Sequence, residues 1–79
     1  MPASRSPEEV NCLRSVGNRV RLLRAVHSMS QAELAERVGL SRIYVGALER
    51  GTANPTLLTL RRIAEALDTT VARLTTDEA

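Results

Sequence analysis

Apolar residues recur at Val10, Leu13, Val16, Val20 and Leu23, in steps of three and four. That period marks the buried stripe of an amphipathic helix. Ser6-Pro7-Glu8-Glu9 stands before it. Ser6 can cap the helix, Pro7 suits its first position, and Glu9 can complete a capping box. The spacing predicts one long helix to about His27. Gly17 costs it about 1 kcal/mol relative to Ala, and a break there would leave residues 6–15 as a separate turn. Ser30-Gln31-Ala32-Glu33 is a second capping box. Leu34, Ala35 and Val38 follow at core spacing, and Gly39 suits a left-handed helix end. Leu40 should tuck inwards. Ser41 can cap a third helix whose inward residues are Val45 and Leu48, stopped by Gly51. After the turn Gly51-Thr52-Ala53-Asn54-Pro55, Thr56 caps a helix with Leu57, Leu60, Ile63, Ala64 and Leu67 on one face. Asp68-Thr69 interrupts it, and Thr70 can cap a last short helix through Val71 and Leu74.

Helices over 31–38 and 42–50, joined by three residues that include a Gly, form the helix-turn-helix signature. The expected fold is all-α: a compact five-helix bundle in one domain, residues 1–79. The helix-turn-helix occupies 30–50, the C-terminal helices occupy 56–75, residues 1–5 form a loose arm, and residues 75–79 fray. A chain of 79 residues lies near the lower limit for folding alone. Its 43% hydrophobic and 1% aromatic content calls for a core of Leu, Val, Ile and Ala. Stability should be modest, and a dimer interface would raise it.

The formal charge is +2, but its distribution is uneven. Residues 10–50 hold Arg14, Arg19, Arg21, Arg24, Arg37, Arg42 and Arg50 against Glu33, Glu36 and Glu49. The remainder is acidic on balance. A basic half beside an acidic half suits a nucleic-acid face and a separate assembly face, and a solvated surface is the plainer alternative. Cys12 and His27, one of each in the chain, cannot build an intramolecular disulfide or a zinc site. No metal, cofactor or small-molecule ligand is expected. No apolar run approaches a membrane span, and the N-terminus lacks a signal-peptide pattern, so the expected location is cytoplasmic. No nucleophile–His–acid set or phosphate loop suggests an enzyme.

The run Ser30-Gln31-Ala32-Glu33-Leu34-Ala35-Glu36-Arg37-Val38-Gly39-Leu40-Ser41, with Tyr44-Val45 and Leu48-Glu49-Arg50-Gly51, resembles the phage-repressor/Cro-like (XRE) helix-turn-helix family. Asn54-Pro55-Thr56-Leu57 with Leu60, Ile63-Ala64 and Ala66-Leu67 extends the likeness to residues 17–75. The resemblance implies a lambda-repressor-like five-helix bundle that binds double-stranded DNA, usually as a homodimer. Leu40 to Arg50 further resembles the small controller proteins of restriction–modification systems. Those often carry Asp where Ser41 stands and Thr where Ile43 stands.

Reading a major groove needs side chains at the start of a helix. Arg42 stands first after the cap and can fork onto a guanine edge, and Ile43 can pack on a thymine methyl. Gly46 and Ala47 are small enough to let the helix approach, Ala47 at the bases and Gly46 at the backbone. Ser41 lies at the same helix end, beside the backbone. The resemblance puts Gln31 against a phosphate, and Arg50, Thr52 and Asn54 along the phosphate strand. Tyr44 either bonds a phosphate or packs its ring across the bundle. The resemblance also implies an internal ion pair, Arg24 with Glu49. Arg19 and Arg21 read as solvent-facing charges. Leu58, Val71 and Leu74 exceed the needs of one small core and are candidates for an isologous dimer interface; closing the monomer core is their other reading. The resulting expectation is a homodimeric regulator on a two-fold operator. The alternative is an adaptor or antitoxin-like module that binds a protein with the same fold.

Overall fold

The structure, a computed structural model, describes residues 4–76. It contains α1 (Pro7–Val26), α2 (Gln31–Val38), α3 (Arg42–Arg50), α4 (Leu57–Ala66) and α5 (Val71–Thr75), with no strand among the described residues. Each helix starts on a hydroxyl: Ser6, Ser30, Ser41, Thr56 and Thr70 accept a backbone N–H three residues on. Both expected capping boxes form, Ser6 with Glu9 and Ser30 with Glu33. These bonds satisfy N–H groups that a helix start leaves without a partner. Ser4 and Arg5 precede α1 without regular structure. The rest of the expected arm, residues 1–3, and residues 77–79 of the end expected to fray lie outside the described residues, whereas Thr75, also expected to fray, is the last residue of α5.

The first four helices end alike. The N–H groups of Met29, Leu40, Thr52 and Thr69 reach back five residues to the carbonyls of Arg24, Ala35, Ala47 and Ala64, each at 2.9 Å. This closure needs a left-handed residue just past the helix. Gly39 and Gly51 supply it after α2 and α3, and Ser28 and Asp68 supply it after α1 and α4.

Val16, Val20, Leu34, Ala35, Val38, Val45, Leu48, Ile63, Ala64, Leu67 and Leu74 form the core. Met29, expected as a mere joint, is buried with them. Leu40 and Tyr44 are half-buried against it. Leu57, the first residue of α4, departs from expectation: it stays 68% exposed. Leu74 departs too. At 0% exposure it is sealed inside a single chain, so its side chain cannot face a second copy.

Gly17 does not break α1. A Cβ there would fall 2.6 Å from the Glu49 carbonyl oxygen and would collide with that of Leu48 as well. The residue is glycine because the end of α3 presses on α1 at this point. α1 packs directly on α3 here, and this contact sets how α3 is presented.

Candidate nucleic-acid interface

Val45 and Leu48 are buried under α3, and the Ser41 hydroxyl accepts the Tyr44 N–H at 3.0 Å. Two inward anchors and a fixed start leave the other faces of α3 outside. Arg42 is exposed, and Ile43 is 82% exposed. Gln31, Arg42, Ile43, Gly46 and Arg50 line one open recess of about 410 Å³. The structure therefore gathers five of the expected DNA residues from α2 and α3 into a single surface.

Gly46 is buried rather than surface-lying. A Cβ at this position would meet Arg50 Nη1 at 3.2 Å and Gln31 Oε1 at 3.8 Å. Gly46 lines the recess, with the ends of the Arg50 and Gln31 side chains beside the place of its absent Cβ. Ala47 is half-buried, beside the exposed Ile43 and Arg50.

Behind this recess lies a closed polar network. Arg24 Nε donates to Glu49 Oε2 at 2.7 Å, and Arg24 Nη2 donates to Glu49 Oε1 at 2.9 Å. Arg24 Nη1 donates to the Met29 carbonyl at 2.8 Å. Gln31 Nε2 donates to Glu49 Oε1 at 3.0 Å. The Glu49 side chain is 3% exposed. Burial pushes its pKa up, but the hydrogen bonds from Arg24 and Gln31 and the charges of Arg24 and Arg21 prevail and hold it below the ordinary value. The same hydrogen bond raises the Arg24 pKa against the opposing effect of burial. A two-pronged guanidinium–carboxylate pair fixes orientation as well as charge. The expected Arg24–Glu49 pair is thus present, and it recruits Gln31. One Gln31 amide N–H is committed to Glu49, which sets the side chain at the rim of the recess.

Other expected contacts are divided. Thr52 Oγ1 donates to the Ala47 carbonyl at 3.1 Å, so this hydroxyl closes the end of α3. The Tyr44 ring packs against the core, which favours its structural reading. Arg50 is exposed at the recess. Asn54 is exposed but lines a different recess, with Ser4, Arg5, Glu9, Cys12 and Leu13. Of the assembly residues, Leu58 is 66% exposed, beside the exposed Leu57, while Val71 is half-buried on the core.

Sequence reading missed the place of Arg14. A Cβ on Gly51 would lie 2.8–2.9 Å from Arg14 atoms, so α1 touches the turn that ends α3. The spacing Arg14, Asn18, Arg21 on one helix face was the available signal. No group of three or more His, Cys, Asp or Glu that could hold a metal occurs among the described residues. No helix among them is long and apolar enough to cross a membrane.

Comparison with known proteins agrees with this geometry. Residues 20–74 match the helix-turn-helix family model HTH_3. The chain is 47% identical over 57 residues to the control protein C.SmaI of Serratia marcescens, covering 72% of this chain and 68% of that protein. It is 38% identical over 64 residues to the immunity repressor protein of Bacillus phage phi105, covering 81% of this chain and 44% of that one. Among solved structures, the restriction–modification controller protein C.AhdI from Aeromonas hydrophila superposes with a TM-score of 0.75 at 42% identity, over 78% of this chain and 94% of that one. SinR, a master regulator for biofilm formation solved in complex with DNA, superposes with a TM-score of 0.74 at 31% identity, over 77% of this chain and 98% of that one. Over most of its length, in sequence and in fold, the chain belongs to the phage-repressor-like (XRE) helix-turn-helix family.

Proposed function

We propose that this protein is a sequence-specific transcriptional regulator that binds a two-fold DNA operator as a homodimer, in the cytoplasm, as the controller of a restriction–modification system. One observation carries the reading. Arg42 and Ile43 stand exposed at the capped start of α3, while Val45, Leu48 and the Arg24–Glu49 pair hold that helix from behind. A fork donor next to a bare apolar branch is the chemistry that a guanine edge and a thymine methyl require. Fold alone would not decide this. The likeness to C.SmaI and C.AhdI supports the controller role. The function is binding, without catalysis.

The homodimer rests on Leu57 and Leu58, two adjacent exposed leucines at the start of α4. DNA half-sites one turn apart are separated by about 34 Å, and an isologous contact between these leucines is the proposed means of pairing two copies of α3. The test is a selection of the intact protein against random duplex DNA. It should return a two-fold site with guanine at a fixed position in each half. A pool with no enriched site would overturn the proposal and favour a protein-binding adaptor.

A further inference from the structure

Arg14, Asn18 and Arg21 follow one another at i, i+4 and i+7 on α1, a spacing that puts them on one helix face. All three are exposed. That face borders the C-terminal end of α3, the end that carries Arg50, at two places. Gly51, the residue that terminates α3, sits against the Arg14 backbone and Cγ. The charge of Arg21 is felt by the Glu49 carboxylate, in the last turn of α3. Arg21 also donates to the Asn18 side-chain oxygen, which lays its guanidinium along α1. Neither Arg14 nor Arg21 forms an ion pair among the described residues. Both acids of α1, Glu8 and Glu9, lie back in its first turn.

The other arginines of α1 are engaged differently. Arg24 is bound to Glu49, and Arg19 donates to the Arg73 carbonyl at 3.2 Å, tying α1 to α5. The remaining two stand about 10.5 Å apart along the helix, on a cationic stripe that meets the turn after Arg50 at Gly51.

We propose that Arg14 and Arg21 bind phosphates of the DNA strand that flanks the α3 major-groove contact, so that α1 forms a second arm of the interface. This rests on the DNA-binding reading above. Charge complementarity and continuity with the α3 turn select a phosphate strand as the occupant. Phosphate contacts position a protein and carry no sequence preference, so Arg14 and Arg21 add affinity to every DNA sequence alike.

The test measures binding by the full chain against salt, on the selected duplex and on a duplex of unrelated sequence. Arg14→Gln and Arg21→Gln are compared with Arg61→Gln, which removes an equal charge from exposed α4, and with Arg42→Ala. Each stripe variant should weaken both duplexes by the same factor and lower the salt slope by about 1. Over a fourfold rise in salt, wild type should then lose about 3.5-fold more affinity than either variant. Arg61→Gln should leave the slope unchanged, and Arg42→Ala should fail mainly on the selected duplex. Stripe variants that behave like Arg61→Gln, while Arg42→Ala still loses the selected site, overturn the proposal and leave the DNA reading standing. A wild type with no salt-dependent binding overturns both.

Discussion

Gly17 shows how one residue can carry opposite signs at different levels. As a mid-helix glycine it weakens α1 by about 1 kcal/mol relative to Ala, and local propensity favours replacing it. The end of α3, however, occupies the space of a Cβ: the Glu49 carbonyl oxygen would stand at 2.6 Å. The intruding atoms are backbone and cannot rotate away. Overpacking of this kind costs about 1–3 kcal/mol, so Gly17→Ala should destabilise the fold. In thermal unfolding it should lower Tm by several degrees, since 1 kcal/mol moves a domain of this size by about 4–8 °C. A rise in Tm would show that α1 and α3 do not approach as closely as described. Gly46 behaves otherwise, because the nearest atom to its absent Cβ is the end of the flexible Arg50 side chain.

At the scale of elements, the Arg24–Glu49 pair ties the last turn of α3 to the last turn of α1. The Glu49 pKa is lowered on folding, so its contribution is present above the unfolded value of about 4.3. That contribution is lost as pH falls through the lower folded value. The Glu33 carboxylate, lowered by its bonds to Ser30, acts in the same direction. Tm should therefore fall below about pH 4, and Glu49→Gln should flatten that fall without removing it. An unchanged acid profile in Glu49→Gln would contradict the assignment. Removing Arg24 instead strands a buried carboxylate, at a cost of about 3–5 kcal/mol. Loss of DNA binding in Arg24→Ala would thus report unfolding.

All five helices, their starting caps and the Gly39 and Gly51 stops were legible in the sequence, because hydroxyls, glycines and apolar spacing are local signals, whereas the left-handed Ser28 and Asp68 were not. Long-range facts were hidden. The burial of Met29, the exposure of Leu57 and the sealing of Leu74 depend on which helices meet. The helix-turn-helix surface was legible at Arg42 and Ile43, whose exposure follows from the inward stripe. Gly46 could not be placed, because what lies over a glycine comes from other residues, here Arg50 and Gln31. Arg14 was overlooked because its neighbour Gly51 is distant in sequence.

For the whole molecule, the proposed two-fold contact is the feature to test. Leu58, with 66% exposure, can be changed without opening the core. Leu58→Asp should keep its helical content and Tm near those of the monomer fold. In sedimentation it should shift mass from dimer to monomer, and it should bind a two-half-site duplex no better than a single half-site. A Leu58→Asp protein that remains dimeric would place the two-fold contact elsewhere. The central claim, that α3 presents Arg42 to a base, has the most direct test. The random-duplex selection is repeated with Arg42→Ala, and both proteins are titrated on the winning site with and without its guanine. Wild type should lose about 1–3 kcal/mol when the guanine is replaced, while Arg42→Ala should be indifferent to that replacement and remain folded. An Arg42→Ala protein that still prefers the same guanine, by the same margin, would contradict the claim.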